Sequence, residues 1–459
     1  MPSPPAENAR HDPYAAFRVP GYRRYAAGYF VSVLGRAAVA AGIGYELFLR
    51  TRSATILGLV GLVGALPVIL FALPAGHLAD RWSRKIILMS TQAISAVCSL
   101  ALAALSYWHD HVPNWPWLAK VSDFLVFLAH RFGEKDAANF SPSIPLMLAI
   151  LGVYGCARAF GWAARGAFVP NLVSRELLTN AVTWNSSLSQ ISSTVGAMLA
   201  GILISFLGLP ATYLFDAICA LLFLAFISGV QSRQEFNRTE HASVREEVFS
   251  GLKFVWKTRV ILGAITLDLF AVLIGGAVAL LPIFATDILK VGAVGFGWLR
   301  AAPSLGALIM GFSLAHLPPM KRAGQAMLWS VAGFGLATMI FGLSRNYALS
   351  FAALALTGAL DNVSVVVRHS LVQMMTPDSM RGRVSAVNNV FINSSNELGQ
   401  LESGLTAALF GRLLGTAALG ASASVATGGF GVILVVILVA LGLPEVRKIG
   451  ALRDVKPEE

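Results

Sequence analysis

Twelve runs of roughly 18 or more mostly apolar residues follow one another along the chain. They are centred near Leu34, Leu66, Val97, Leu151, Leu199, Leu221, Val272, Leu308, Leu336, Leu356, Leu398 and Val435. A helix of that length matches the hydrocarbon thickness of a bilayer, where backbone polar groups are satisfied only inside helices or closed barrels. The sequence therefore predicts an all-α membrane protein. Twelve such helices use most of the 459 residues, so no separate soluble domain fits. Only 13% of residues are charged, against roughly a quarter in soluble proteins.

The net charge of +11 invites a nucleic-acid partner, but its distribution argues against one. With a cytoplasmic N-terminus, most of the 35 Lys and Arg fall on inner segments, and those within spans are Arg36, Arg158, Arg300 and Arg368. That asymmetry is the positive-inside pattern, and it predicts that both termini are cytoplasmic. Cys98, Cys156 and Cys219 fall inside predicted spans and, being odd in number, complete no disulfide framework. They are read as packing residues. Residues 1–20 are polar and Pro-rich, so no cleaved leader is expected. No G-x-x-x-x-G-K-[ST], H-E-x-x-H or G-x-S-x-G pattern occurs, which argues against direct use of ATP and against a membrane-embedded enzyme. His109, His111 and His130 lack metal-ligand spacing, and no metal or other cofactor is expected.

Between the second and third runs lies the charged hinge Gly76-His77-Leu78-Ala79-Asp80-Arg81-Trp82-Ser83-Arg84-Lys85. Its shortness makes the flanking helices antiparallel neighbours, and Arg81, Arg84 and Lys85 place it on the cytoplasmic side. Gly76 is expected to let two backbones approach closely, and Asp80, set among cations, is expected to be paired. The stretch resembles the G-x-L-A-D-R-x-G-R-K loop of the major facilitator superfamily, with Ser83 where the family usually has Gly. Around the fourth run, Ala157-Arg158-Ala159-Phe160-Gly161, Ala164-Arg165-Gly166, Val169-Pro170-Asn171-Leu172-Val173 and Leu178-Thr179-Asn180-Ala181 resemble the branch that contains macrolide-efflux and enterobactin-export proteins. In the fifth run Ala197 follows Gly196 where antiporter members often carry Pro, so a kink-forming residue is missing.

The resemblance implies the major facilitator fold: two six-helix halves related by pseudo-symmetry. It also implies a secondary transporter in a bacterial inner membrane, a monomer that moves a drug-like or siderophore-like organic solute by alternating access, with export favoured over uptake. The hinge residues Gly76, Asp80, Arg81, Arg84 and Lys85 would then act as a gate, together with Arg165, Arg381 and Arg383 at related loops. The residues alone leave direction, substrate and coupling to protons open. An uptake transporter and a lipid or lysolipid translocator stay as alternatives.

An internal repeat agrees with fused halves. Arg165, Val173 to Glu176 and Ala181 to Thr183 find counterparts at Arg368, Met375 to Asp378 and Arg383 to Ser385, about 202 residues on. The expected division is a tail at 1–20, a first half at 21–232, a linker at 233–258, a second half at 259–446 and a tail at 447–459. In the linker, Ser243-Val244-Arg245-Glu246 fits a capping box opening a short inner-surface helix. Between Asp110 and Ser143, Trp115-Pro116-Trp117 and the apolar spacing of Leu118 to Phe132 predict a helix lying on the outer leaflet.

Ionisable residues inside spans are costly, so each is either a functional group or half of an internal ion pair. The candidates for the substrate or proton pathway are Arg36, Glu46, Arg158, Asp268, Arg300, Asp361, Asn362 and Glu397. Asn389, Asn393 and Glu397 recur every four residues on one helix face, which must line a cavity or meet another helix. Proton coupling would use Asp361, Asp268 or Glu397. The helix of Asp361 offers no cation before Arg368, about two turns on. A partner would therefore have to come from another span.

Overall fold

The computed structural model describes residues 12–134, 140–231, 244–318, 320–377 and 380–451, without the side chains of 72, 73, 80, 244–248, 386, 389 and 393. Among the described residues there is no strand. The first half comprises α1 (Pro20–Thr51), α2 (Ala54–Arg81), α3 (Arg84–Tyr107), α4 (Pro116–Arg131), α5 (Ser143–Phe168), α6 (Arg175–Leu207) and α7 (Pro210–Ser228). The linker helix α8 (Val244–Lys257) leads into α9 (Arg259–Ile274), α10 (Leu281–Ile283), α11 (Gly292–His316), α12 (Ala323–Leu343), α13 (Tyr347–Met375), α14 (Arg381–Leu414), α15 (Ala417–Gly442) and α16 (Pro444–Arg447). A π turn at Phe284–Ile288 extends α10.

Eleven helical stretches, counted among the described residues, are long and apolar enough to cross a membrane, one of them (Arg259–Ile288) running from α9 through α10 and the π turn. The run expected around Leu398 is the exception. It forms α14, a helix of 34 residues, but Asn388, Asn396, Glu397, Gln400 and Glu402 make its middle too polar. The chain satisfies its helix ends locally. Ser53, Asn346 and Thr416 accept from the Ile56, Leu349 and Leu419 backbone N–H groups, at 3.1, 3.1 and 3.2 Å. Ser83, the departure from the family loop, caps α3 through the Ile86 N–H at 3.5 Å.

An even number of long helices brings both described chain ends to one face, which we call the terminal face. The halves meet tightly at the opposite face. One apolar cluster there joins Tyr45, Phe48 and Leu57 of the first half to Phe284, Phe296 and Phe341 of the second. The clusters near the terminal face each belong to one half, apart from the linker helix. Small residues make the close approach: a Cβ on Gly201 would lie 2.4 Å from the Ala293 carbonyl oxygen, and one on Gly404 2.6 Å from Gly58. Arg52 and Asp287 add an ion pair across the rim at 2.9 Å. Gly201→Val should therefore wedge this face apart. A cysteine placed at Leu57, buried in wild type, should become labelled by a hydrophilic thiol reagent, and unchanged protection would remove the glycine seam as the cause of closure.

Gly76 does not behave as the sequence predicts. Among the described residues a Cβ there would meet nothing within 4 Å, because no second backbone among them crosses at that turn of α2. Close packing depends on what faces a glycine, which the local sequence does not carry.

The predicted surface helix is α4, with Leu118, Leu125 and Ala129 buried and Trp117, Phe124 and Phe127 exposed. The connection after it is tied to α2. Glu134 accepts from the Ala54 N–H at 2.6 Å, the Thr55 N–H at 3.3 Å and the Ser53 hydroxyl. Burial pushes the Glu134 carboxyl above the ordinary glutamate range, and its hydrogen bonds only partly oppose that. A group whose folded value is raised takes up a proton on folding, so its contribution is full in acid and is lost as pH rises through the raised value. Glu134→Gln should flatten this acid-side dependence of the thermal midpoint. An unchanged slope would assign the dependence elsewhere.

Candidate functional site

Between the helix midpoints and the terminal face lies a cavity of about 830 Å³. Helical spacing brings its walls together. Tyr25, Tyr29 and Arg36 share one face of α1; Arg158, Trp162 and Arg165 one face of α5; Val182, Asn185, Ser186, Ser189 and Gln190 one face of α6. The second half contributes Glu397 of α14. Gly166, Val182 and Ser186, toward the terminal face, are exposed.

The charges are arranged unequally. Arg158 Nη2 donates to Glu397 Oε1 at 2.7 Å, a tie from one half to the other, and to the Gly64 carbonyl at 2.8 Å. Gln400 donates to the other oxygen of Glu397 at 3.2 Å, and Arg300 of α11 lies within coulombic reach of Glu397. Arg165 donates to the Gly161 carbonyl at 3.0 Å and stands over the Tyr29 ring at 5.9 Å. Arg36 has no hydrogen bond or ion pair among the described residues. It lies within coulombic reach of Arg165 and Asp216. Asp216, buried on α7, accepts from the Ser99 hydroxyl at 2.5 Å and the Tyr154 hydroxyl at 3.1 Å.

A second cluster sits inside the second half. Arg368 is 1% exposed and forms an ion pair with Asp268, 6% exposed, so the cation on the helix of Asp361 turns to α9 instead. Asp361 keeps no hydrogen bond or ion pair among the described residues, although both members of the pair are within coulombic reach. The buried Oδ1 of Asn362 lacks a hydrogen-bond partner among them too. None of the arginines from other spans reaches Asp361. Arg158 is held by Glu397, and Arg36 and Arg300 lie near other carboxylates.

The sequence pattern that defines the Major Facilitator Superfamily matches residues 25–400. The chain belongs to that superfamily. It is 25% identical over 432 residues to the enterobactin exporter EntS of Shigella boydii serotype 4, which covers 94% of this chain and 93% of the relative. Among solved structures it is similar to the nucleoside transporter NupG (TM-score 0.61, 12% identity, 94% of this chain and 99% of the other). It is also similar to a D-xylose-proton symporter (TM-score 0.64, 13% identity, 95% and 99%). The chain is a multi-pass membrane transporter of the major facilitator fold.

Within that fold the hinge cations act as fasteners. Arg84 donates to the Ala167 carbonyl at 2.9 Å and to Asn171 Oδ1 at 3.3 Å, and Lys85 to the Ser228 and Val230 carbonyls at 2.7 and 2.9 Å. Arg81 and Arg381 are exposed, and Arg383 donates to Ser250 of the linker helix at 3.4 Å. The side chains of Asp80, Asn389 and Asn393 lie outside the described residues. Glu46 stands apart from the cavity: fully buried, it bonds Arg50 at 2.5 Å and Tyr213 at 2.7 Å, an internal lock within the first half. Sequence reading missed Asp216, Glu402 and the polar stripe of α6. The rule that flagged Asp268 applies equally to the two carboxylates, and Asn185, Ser189 and Gln190 recur at helical spacing.

Proposed function

We propose that this major facilitator transporter exports an organic solute by alternating access, seated in the bacterial cytoplasmic membrane with its terminal face inside. The cavity carries the reading: its polar first-half walls reach the terminal face while the opposite face is sealed. Such an arrangement is an inward-open loading state. The name of the enterobactin exporter, similar along nearly the whole chain, supports outward movement of the solute. An apolar cavity with few charges would favour a lipid or lysolipid translocator, and Arg36, Arg158 and Arg165 in the walls argue against that.

A deletion strain screened against antibiotics and siderophores should become sensitive to, or retain, the solute, and everted vesicles carrying the protein should accumulate it when energised. Accumulation only in right-side-out vesicles would establish uptake instead. Orientation is tested separately. In whole cells an impermeant thiol reagent should label Val121→Cys on α4 and spare Arg81→Cys. The reverse pattern would invert the topology.

A further inference from the structure

We propose that the solute is an organic anion, and that its charged group takes Arg158 from Glu397, converting a tie between the halves into a pairing inside the second half. The inference rests on the cavity being the transport site. Among the described residues, Arg36, Arg158 and Arg165 line it, against Glu397 as the single carboxylate in its wall. Widening the circle adds Asp216 beside Arg36 and Arg300 beside Glu397, and among the described residues the cations still exceed the carboxylates. Like charges gathered at a water-filled cavity focus a positive potential, which concentrates anions and repels cations.

Arg36 supplies an anchoring guanidinium without a partner of its own among the described residues, and Arg165 is held only by a backbone carbonyl and the Tyr29 ring. Guanidinium groups bind carboxylate or phosphate oxygens in a fork geometry. The Arg158–Glu397 pair is open to exchange because its side chains stay 34% and 18% exposed on the cavity wall. When an anion occupies Arg158, Glu397 does not lose all counter-charge. Arg300 belongs to its own half and lies within coulombic reach. Net pairing is conserved, and the halves lose the charged tie beside the cavity. A ligand moves a conformational equilibrium only through interactions that differ between the states. This exchange supplies such a difference.

The test uses the purified full chain in detergent, with Cys98, Cys156 and Cys219 replaced by Ala and Ser186, on the cavity wall, replaced by Cys. The rate of modification by neutral N-ethylmaleimide is read with fluorescein, an anionic xanthene, or rhodamine 6G, a cationic one. Fluorescein should protect at concentrations where rhodamine 6G does not. Glu397→Gln, which removes the competitor, should lower the fluorescein concentration for half-protection by about fivefold, and Arg36→Gln should raise it by about tenfold. Glu397→Asp, which keeps the charge but shortens the reach, should also lower it. Equal or better protection by rhodamine 6G, no protection by fluorescein up to its solubility limit, or weaker fluorescein binding in both Glu397 variants would overturn the proposal. Protection without transport in everted vesicles would instead count against export and leave the anion site standing.

Discussion

Arg368→Met should cost the protein about 3–5 kcal/mol, enough to lose most of the monodisperse material recovered in mild detergent. Arg368 is 1% exposed and its partner Asp268 6% exposed, so removing the cation leaves a buried carboxylate without an ion pair or hydrogen bond among the described residues to offset its desolvation. The loss is a large share of the roughly 5–15 kcal/mol that holds a folded protein together. Replacing both members, as Asp268→Leu with Arg368→Met, should recover most of it, because similar apolar volume takes the place of a costly pair. Thermal midpoints of the two single variants and the double variant form a cycle that measures the coupling. A single variant as stable as wild type would mean that the pair is hydrated or otherwise compensated.

Asp361→Asn should abolish gradient-driven accumulation while leaving equilibrative exchange of the solute intact. Asp361 is the carboxylate of this cluster without a hydrogen bond or ion pair among the described residues, since Arg368 is engaged by Asp268. A carboxylate in that setting gains its neutralising partner most readily as a proton, which a transport cycle can load and release. The amide imitates the protonated form permanently. Proton-dependent and exchange transport in reconstituted vesicles separate the two effects. Accumulation at the wild-type level would remove Asp361 from proton coupling and move attention to Glu402, half-buried on α14.

The helices are legible in the sequence because apolar length, capping residues and short charged turns are local properties. The runs near Leu34 and Val435 become α1 and α15 for reasons carried within about 30 residues of each centre. The site is legible only as parts. Arg158 and Glu397 each stand out as charges in apolar surroundings, but they are 239 residues apart, and nothing local says that they meet. Glu46 carries the same signal and turns out to be a lock, because Arg50 and Tyr213 close over it. Glycine shows the same limit. Gly76 meets no neighbour among the described residues whereas Gly201 lies against another backbone, and the difference belongs to the partner helix.

The polarity of α14 bears on how the protein is made. A segment with Glu397, Gln400 and Glu402 near its middle gains too little from hydrocarbon to partition into the bilayer unaided, since a carboxylate at the centre of a helix costs about 2.5–3.5 kcal/mol on insertion scales. The helix that follows, α15, is among the most apolar in the chain. Delivered as one hairpin with α15, α14 can bury its polar stripe against α2 and α9, which are already in place. Biogenesis would then halt at the tenth long helix until the last pair emerges from the ribosome together. A chain truncated after α14 should leave that helix uninserted, and glycosylation sites engineered at its C-terminal end report which side of the membrane it reaches.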